Sequence, residues 1–255
     1  MKYLQFIGLA SVVFLIHAFK LEDTFQKPVP AKPIEERVDS VMKLMTIEDK
    51  IGQLTLFTSD WAVTGPTLRE GYRDDIKAGK VGAIFNAHTA AYNRELQRIA
   101  VEETRLGIPL LFGYDVIHGY KTIFPVPLGE SASWDLEAME KSARIAAIEA
   151  TAAGLHWTFA PMVDIARDPR WGRICEGAGE DAYLGARIAE ARVKGFQGDD
   201  LSKDNTLIAC AKHYAAYGAA QSGRDYHSVD ISERVLRETY LPPFIAAEKR
   251  GCARL

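Results

Sequence analysis

Charged and aromatic residues gather in four short segments of a 255-residue chain. The first, FGYDVIHGYKTIFPVPLG (112–129), closes an apolar run on Asp115. A carboxylate there, beside Tyr114, can accept hydrogen bonds from a ligand's hydroxyls or from loop amides. The residues alone leave both roles open. The second, APMVDIARDPRWGRICEGAGEDAYLG (160–185), sets Arg167, Arg170 and Arg173 among Asp164, Asp168, Glu176, Glu180 and Asp181. Most of these charges read as an ion-pair lattice that shapes the loop. Arg173, behind Gly172, reads as a guanidinium fork reaching a ligand. Trp171 reads more readily as a buried core residue than as a stacking platform. The third segment, AKHYAAYG (211–218), carries Lys212 and His213 side by side. Neighbours in a regular strand point to opposite faces. Both reach one pocket only if the backbone kinks or is strained there; otherwise His213 is a core histidine behind the strand. In the fourth, SGRDYHSVDIS (222–232), Asp225 and His227 have the types of an acid/base pair. A loop-bracing role is the preferred reading.

The elements that must position these residues alternate in period. Ile34, Val38, Val41 and Leu44/Met45 have helical spacing, and Thr46 with Asp49 has the form of a capping box. Strands are expected at 52–57, 81–86, 108–115, 156–164 and 205–214. Helices are expected at about 68–77, 91–105, 136–153, 183–197 and 232–249. Asp135 and Asp181 stand at helix starts, and Gly79, Gly154 and Gly251 at helix ends. Near-continuous apolar strands alternating with helices specify a parallel sheet covered by helices. The first strand is followed by no G-x-G-x-x-G, and no phosphate-loop pattern occurs. Polar residues cluster instead where strands end, which suits a closed α/β barrel of the (β/α)₈ TIM-barrel type. About five to six βα units are counted, CARL (252–255) opening the last. The chain therefore reads as an incomplete barrel, the N-terminal part of a longer protein cut within a core strand.

Composition bounds the rest. Thirty-one Lys and Arg against 34 Asp and Glu give a formal charge of −3, with 47% hydrophobic residues. Such a chain is neither disordered nor built as a disulfide scaffold, and it lacks the positive field of a nucleic-acid binder. Residues 1–18, MKYLQFIGLASVVFLIHA, read as a secretory signal with Ala18 at a cleavage point, shorter than the ~20 residues of a membrane span. Residues 19–33 form a polar, Pro-rich leader, and 34–255 the barrel domain. Secretion or periplasmic export is expected, with no membrane contact beyond the signal. Cys175, Cys210 and Cys252 are read as small buried hydrophobes, and no metal-ligand spacing occurs.

RDPRWGR, EGAGED and YLG, followed by KHYAAYG and SGRDY, together and in this order resemble glycoside hydrolase family 3, in its periplasmic or secreted β-glucosidase branch. The likeness runs from about Ile34 to Leu255. It implies a barrel whose pocket grips a terminal glucose-like sugar, with no cofactor, and a small carbohydrate as partner. Asp115 matches the aspartate that holds sugar hydroxyls, Arg173 the arginine of the WGR segment, and Lys212 with His213 the Lys-His clamp. The implied reaction is exo-acting, retaining hydrolysis of β-D-glucosides by two carboxyl groups ~5–5.5 Å apart. The resemblance places both, an aspartate nucleophile and a glutamate acid/base, beyond Leu255, so this chain alone is expected to be inactive. The β-N-acetylhexosaminidase branch is similar to K-H-F-P-G-H-G with a later Asp-x-His. Here Tyr-Ala-Ala-Tyr-Gly follows the Lys-His, and Asp225-Tyr226-His227 is read as a loop variant. The alternatives are a β-xylosidase or other β-glycosidase of the family, and an inactive sugar-binding fragment. A different barrel enzyme with Lys212 as a Schiff-base lysine would need an apolar pocket around that amine.

Overall fold

The computed structural model describes residues 33–62, 65–67 and 71–254. The expected signal segment and, apart from Pro33, the leader lie outside the described residues. The chain divides into two compact units at Leu44 and Met45. In the first, helix α1 (Ile34–Met42) follows Pro33, with Glu35 and Glu36 in its first turn, where acidic side chains suit the helix dipole.

The second unit begins with α2 (Ile47–Gln53), capped as its sequence specifies: Thr46 Oγ1 accepts from the Asp49 amide and the Asp49 carboxylate from the Thr46 amide. The elements that follow are β1 (Leu56–Thr58), β2 (Asp60–Ala62), β3 (Gly65–Thr67), α3 (Tyr72–Lys77), β4 (Ala83–Phe85), α4 (Ala90–Glu102) and β5 (Leu111–Tyr114). After them come α5 (Pro127–Ser131), α6 (Leu136–Ala152), β6 (Trp157–Thr158), α7 (Ala182–Gln197), α8 (Glu233–Val235) and α9 (Pro242–Lys249). Strands β1, β4, β5 and β6 form one sheet in that order, and every pair is parallel. Parallel bridges carry the sheet on, from Trp157 to Ile208 and Met162 to Lys212, then from Cys210 to Arg254. The spatial order is thus strictly sequential. An open doubly wound sheet reverses direction at a switch point; this one keeps adding neighbours on one side, as a β/α barrel does.

Side chains alternate along these strands. Ile84, Leu110, Phe112, Leu207, Ala209 and Ala211 are buried and share one core with Leu96, Ala147, Val193, Phe196 and Phe244 of the helices. The opposite face holds aromatic rings: Phe159 lies 4.3 Å from Trp157 and 4.9 Å from Phe85 between centroids. Gly113 leaves room for them, since a Cβ there would come within 2.9 Å of the Phe159 ring. Helices α6 and α7 approach closely because small residues line their contact: a Cβ on Gly195 would lie 2.4 Å from the Glu140 carbonyl.

Several boundaries differ from the sequence expectation. The run 52–57 opens as helix, because the capping box starts α2 at Ile47 and the helix continues through Gln53. Strand 156–164 shortens to two residues before Pro161, which has no amide to donate to a ladder. Segment 205–214 joins the sheet by isolated bridges rather than as a named strand. Helix 232–249 is broken: Pro242 and Pro243 lack donors, and Leu241 N–H reaches back to the Leu236 carbonyl in a π turn over Leu236–Tyr240. The antiparallel pair β2–β3 was not foreseen. Burial of all three cysteines is corrected: Cys175 sits in a polar turn and is exposed, and Cys210 and Cys252 are half-buried.

Candidate functional site

Asp115, Lys212 and His213 leave the sheet where strands or bridged segments end, and Arg173 stands in the loop at the start of the Ile174–Glu176 turn. Asp115 directly follows β5, and the backbone beyond it is pinned by the Val116 amide donating to the buried Thr158 hydroxyl at 3.1 Å. Lys212 ends the bridged segment after β6; its carbonyl accepts from the Val163 amide at 2.8 Å. Its Nζ donates to Asp115 Oδ1 at 2.9 Å. The lysine side chain is 15% exposed and the aspartate 41%, so this ion pair is open to a ligand from the carboxylate side.

The Lys212–His213 peptide is cis. His213 N–H and ring Nδ1 both meet Asp164 Oδ2 at 2.8 Å, and the Asp164 side chain is fully buried. Asp164 can only accept from these groups, so Nδ1 carries the hydrogen. Nε2 faces Arg173 Nη1 at 3.3 Å. Arginine has no acceptor, so Nε2 meets it through its lone pair. Arg173 is gripped on its other edge by Glu176 in two parallel bonds of 2.7 Å, Nε to Oε1 and Nη2 to Oε2. The guanidinium holds the Glu176 carboxyl below the usual carboxylate range, and Glu176 in turn raises Arg173. A relay Asp164–His213–Arg173–Glu176 results, alternating acceptors and donors.

Tyr217 packs against this relay. Its ring stands edge-on to His213 at 4.9 Å and to Trp171 at 5.0 Å, and the Arg173 guanidinium lies 5.5 Å from its centroid. Asp115 and Glu176 line one cavity of about 230 Å³, together with Ile117, Ile123, Val126 and Cys175. Direct bonds pair Asp115 with Lys212 and Arg173 with His213, and the Lys212–His213 peptide joins the two pairs; of the four, Asp115 lines the cavity. His213 is turned toward Arg173, not behind its strand. Trp171 is buried, 1% exposed, as its core reading had it. Asp225 turns to Trp171 and Tyr217 rather than to His227. Lys212 is ion-paired, which is not the apolar setting a Schiff-base lysine requires.

Residues that sequence reasoning had not separated from the background also matter. Glu176 stands three places after Arg173, a spacing that brings the pair onto one side of a helical turn, here Ile174–Glu176. Asp164 gave no such signal, because its partner His213 is 49 positions away, and Tyr217 carries no charge to mark it. Among the described residues no group of three or more His, Cys, Asp and Glu could hold a metal ion.

Comparison with known proteins gives the family. The chain is 41% identical to a periplasmic beta-glucosidase of Salmonella typhimurium over 253 residues, 98% of this chain and 32% of that protein. It is 32% identical to a putative beta-xylosidase of Formosa agariphila, covering 86% of this chain and 31% of the other. A crystal structure of beta-glucosidase from Listeria innocua in complex with isofagomine superposes with a TM-score of 0.77 at 39% identity, over 86% of this chain and 31% of that one. The chain therefore spans about a third of the length of the relatives it matches. The family model named Glycosyl hydrolase family 3 N terminal domain matches residues 46–252, which span β1 to α9 and every rim residue above, and so the sequential parallel sheet is the TIM-barrel-like N-terminal domain of glycosyl hydrolase family 3, the family to which this chain belongs.

Proposed function

We propose that this chain forms the sugar-gripping wall of an exo-acting, retaining β-glucosidase. The observation that carries the reading is the array at the strand ends. A pyranose presents hydroxyls that both donate and accept, and so needs carboxylates and cations in alternation. Asp115 beside Lys212, and Arg173 beside His213, offer that alternation, and Asp115 lines one cavity with Glu176, the residue that grips Arg173. Relatives named beta-glucosidase and putative beta-xylosidase support a β-glycoside as substrate. Glucose is favoured over xylose by the closer relative.

Retaining hydrolysis needs a nucleophilic carboxylate and a carboxylic acid flanking the scissile bond. The rim carboxylates are engaged otherwise: Asp115 by Lys212, Asp164 by His213 and Glu176 by Arg173. Each serves as acceptor or as anchor for a cation. We therefore assign the reacting pair to residues outside these 255. Export from the cytoplasm fits the sequence of residues 1–18 and the periplasmic relative, and no helix among the described residues is long and apolar enough to cross a membrane.

The test is ligand binding by the purified chain. Glucose should produce saturable shifts in its NMR spectrum, lost in Asp115→Asn and Arg173→Ala with the fold retained. The chain should release no nitrophenol from nitrophenyl β-glucoside. Absence of any saturable sugar response in the folded chain would sink the sugar-site reading. Turnover that depends on Asp115 would sink the assignment of the reacting pair elsewhere.

A further inference from the structure

The loop after the rim, 221–231, does more than close the chain. Gln221 N–H donates to the Ser228 carbonyl, Arg224 N–H to Gln221 and His227 N–H to Arg224, so the loop is internally bonded. Gly223 has φ +64, and a Cβ there would fall 2.9 Å from the Trp171 backbone nitrogen. Only a residue without a side chain lets the loop lie this close to the WGR segment. The approach delivers Asp225. Its Oδ1 accepts from Tyr217 OH at 2.6 Å and from Trp171 Nε1 at 2.9 Å. One carboxylate oxygen thus ties together a residue two places before Arg173 and the aromatic ring that packs on both Arg173 and His213.

We propose that Asp225 is a positioning residue of the rim: by fixing the Tyr217 phenol and the Trp171 indole it sets where the Tyr217 ring stands, and through that ring where His213 and Arg173 present their nitrogens.

Geometry supports this over a purely local brace. His213 is anchored by Asp164 and Arg173 by Glu176, each on the side away from the other. What lies against both is Tyr217, whose hydroxyl ends on Asp225. The phenol oxygen lies on the axis through Cβ and Cζ, so the bond at its far end fixes where that axis points and hence how close the ring stands to its neighbours. Burial and the bond to Asp225 push the Tyr217 phenol up, and Tyr217 with Trp171 holds the Asp225 carboxyl below its ordinary value. Phenol donor and carboxylate acceptor therefore keep these roles throughout the neutral range.

The inference rests on the sugar-site reading for its functional consequence, so its test has two separable arms. The first uses no ligand. In the full chain, the His213 ring and Arg173 side-chain NMR signals should move in Asp225→Ala and in Tyr217→Phe. The double variant should add nothing to Asp225→Ala, because the bond that Tyr217→Phe removes is already lost there. Asp225→Asn, which keeps an acceptor oxygen, should restore most of the wild-type positions. Should Asp225→Ala fail to fold, Tyr217→Phe, which removes a single exposed-side hydroxyl, decides alone. Unchanged His213 and Arg173 signals in a folded Tyr217→Phe chain would overturn the proposal. The second arm titrates glucose: its affinity should fall about tenfold in Asp225→Ala and Tyr217→Phe alike, the scale of one charge-assisted bond. Normal glucose affinity in both variants would likewise overturn it. If the wild-type chain takes no glucose, the sugar-site reading falls, while the first arm still decides the positioning role.

Discussion

The Arg173–Glu176 pair is the residue-scale feature with the clearest titration consequence. Arg173 lowers the Glu176 carboxyl in the folded state. An unfolded glutamate protonates near about 4.3, so the folded state binds fewer protons just below that value. The pair's contribution is therefore complete above it and is lost as pH falls through the depressed value. Glu176→Gln should lower the melting temperature at pH 7, and the difference from wild type should shrink as scans move from pH 5 toward pH 3. A difference that stays constant with pH would show that Glu176 acts only through shape. The same variant should weaken glucose binding, since Arg173 loses one of its two bonds to this side chain and the opposite charge. The residue types at this rim were legible in the sequence, because Asp115, Lys212 and His213 sit where apolar runs stop. Their partners were not. That Asp164 serves His213 across 49 positions, and Asp225 serves Trp171 across 54, is a matter of tertiary placement with no local pattern behind it.

At the scale of elements, the helix layer and the rim share fasteners. Arg192 of α7 is buried, donates to Glu130 of α5 at 2.7 Å, and reaches the Ile117 carbonyl at 2.6 Å in the loop that follows Asp115. Burial alone would push this guanidinium down, and Glu130 opposes that shift. Arg192→Leu leaves Glu130 buried without its cation and should cost about 3–5 kcal/mol in urea unfolding. A loss under 1 kcal/mol would mean water reaches Glu130. Gly195→Ala drives a methyl group into the α6 backbone, and should cost about 1–3 kcal/mol by the same measurement. Caps made elements easy to read: Asp135 and Asp181 accept from Ala138 and Leu184 amides as their positions implied. Strand ends were harder. Pro161 and the paired Pro242–Pro243 interrupt patterns whose apolar content continues through them, so periodicity overran the backbone's capacity to donate hydrogen bonds.

Across the whole molecule, a parallel sheet was legible from the alternation of elements, and polar residues at the strand ends pointed to a barrel; the sequential strand order came from the structure. One flank of that sheet is β1, with Leu56 half exposed and Leu54 beside it 89% exposed. An edge bearing apolar side chains invites pairing. The chain by itself should therefore sediment as larger species with rising concentration, and Leu54→Lys should suppress this; a monomer at all concentrations would count against an adhesive edge. The distribution of thiols offers something more practical. Cys175 is exposed and lines the cavity beside Glu176, whereas burial pushes the thiols of Cys210 and Cys252 up. A maleimide dye at neutral pH should therefore mark one position, at the lip of the hollow. An occupant entering that hollow would change the dye's emission, giving a built-in optical reporter that needs no engineered handle.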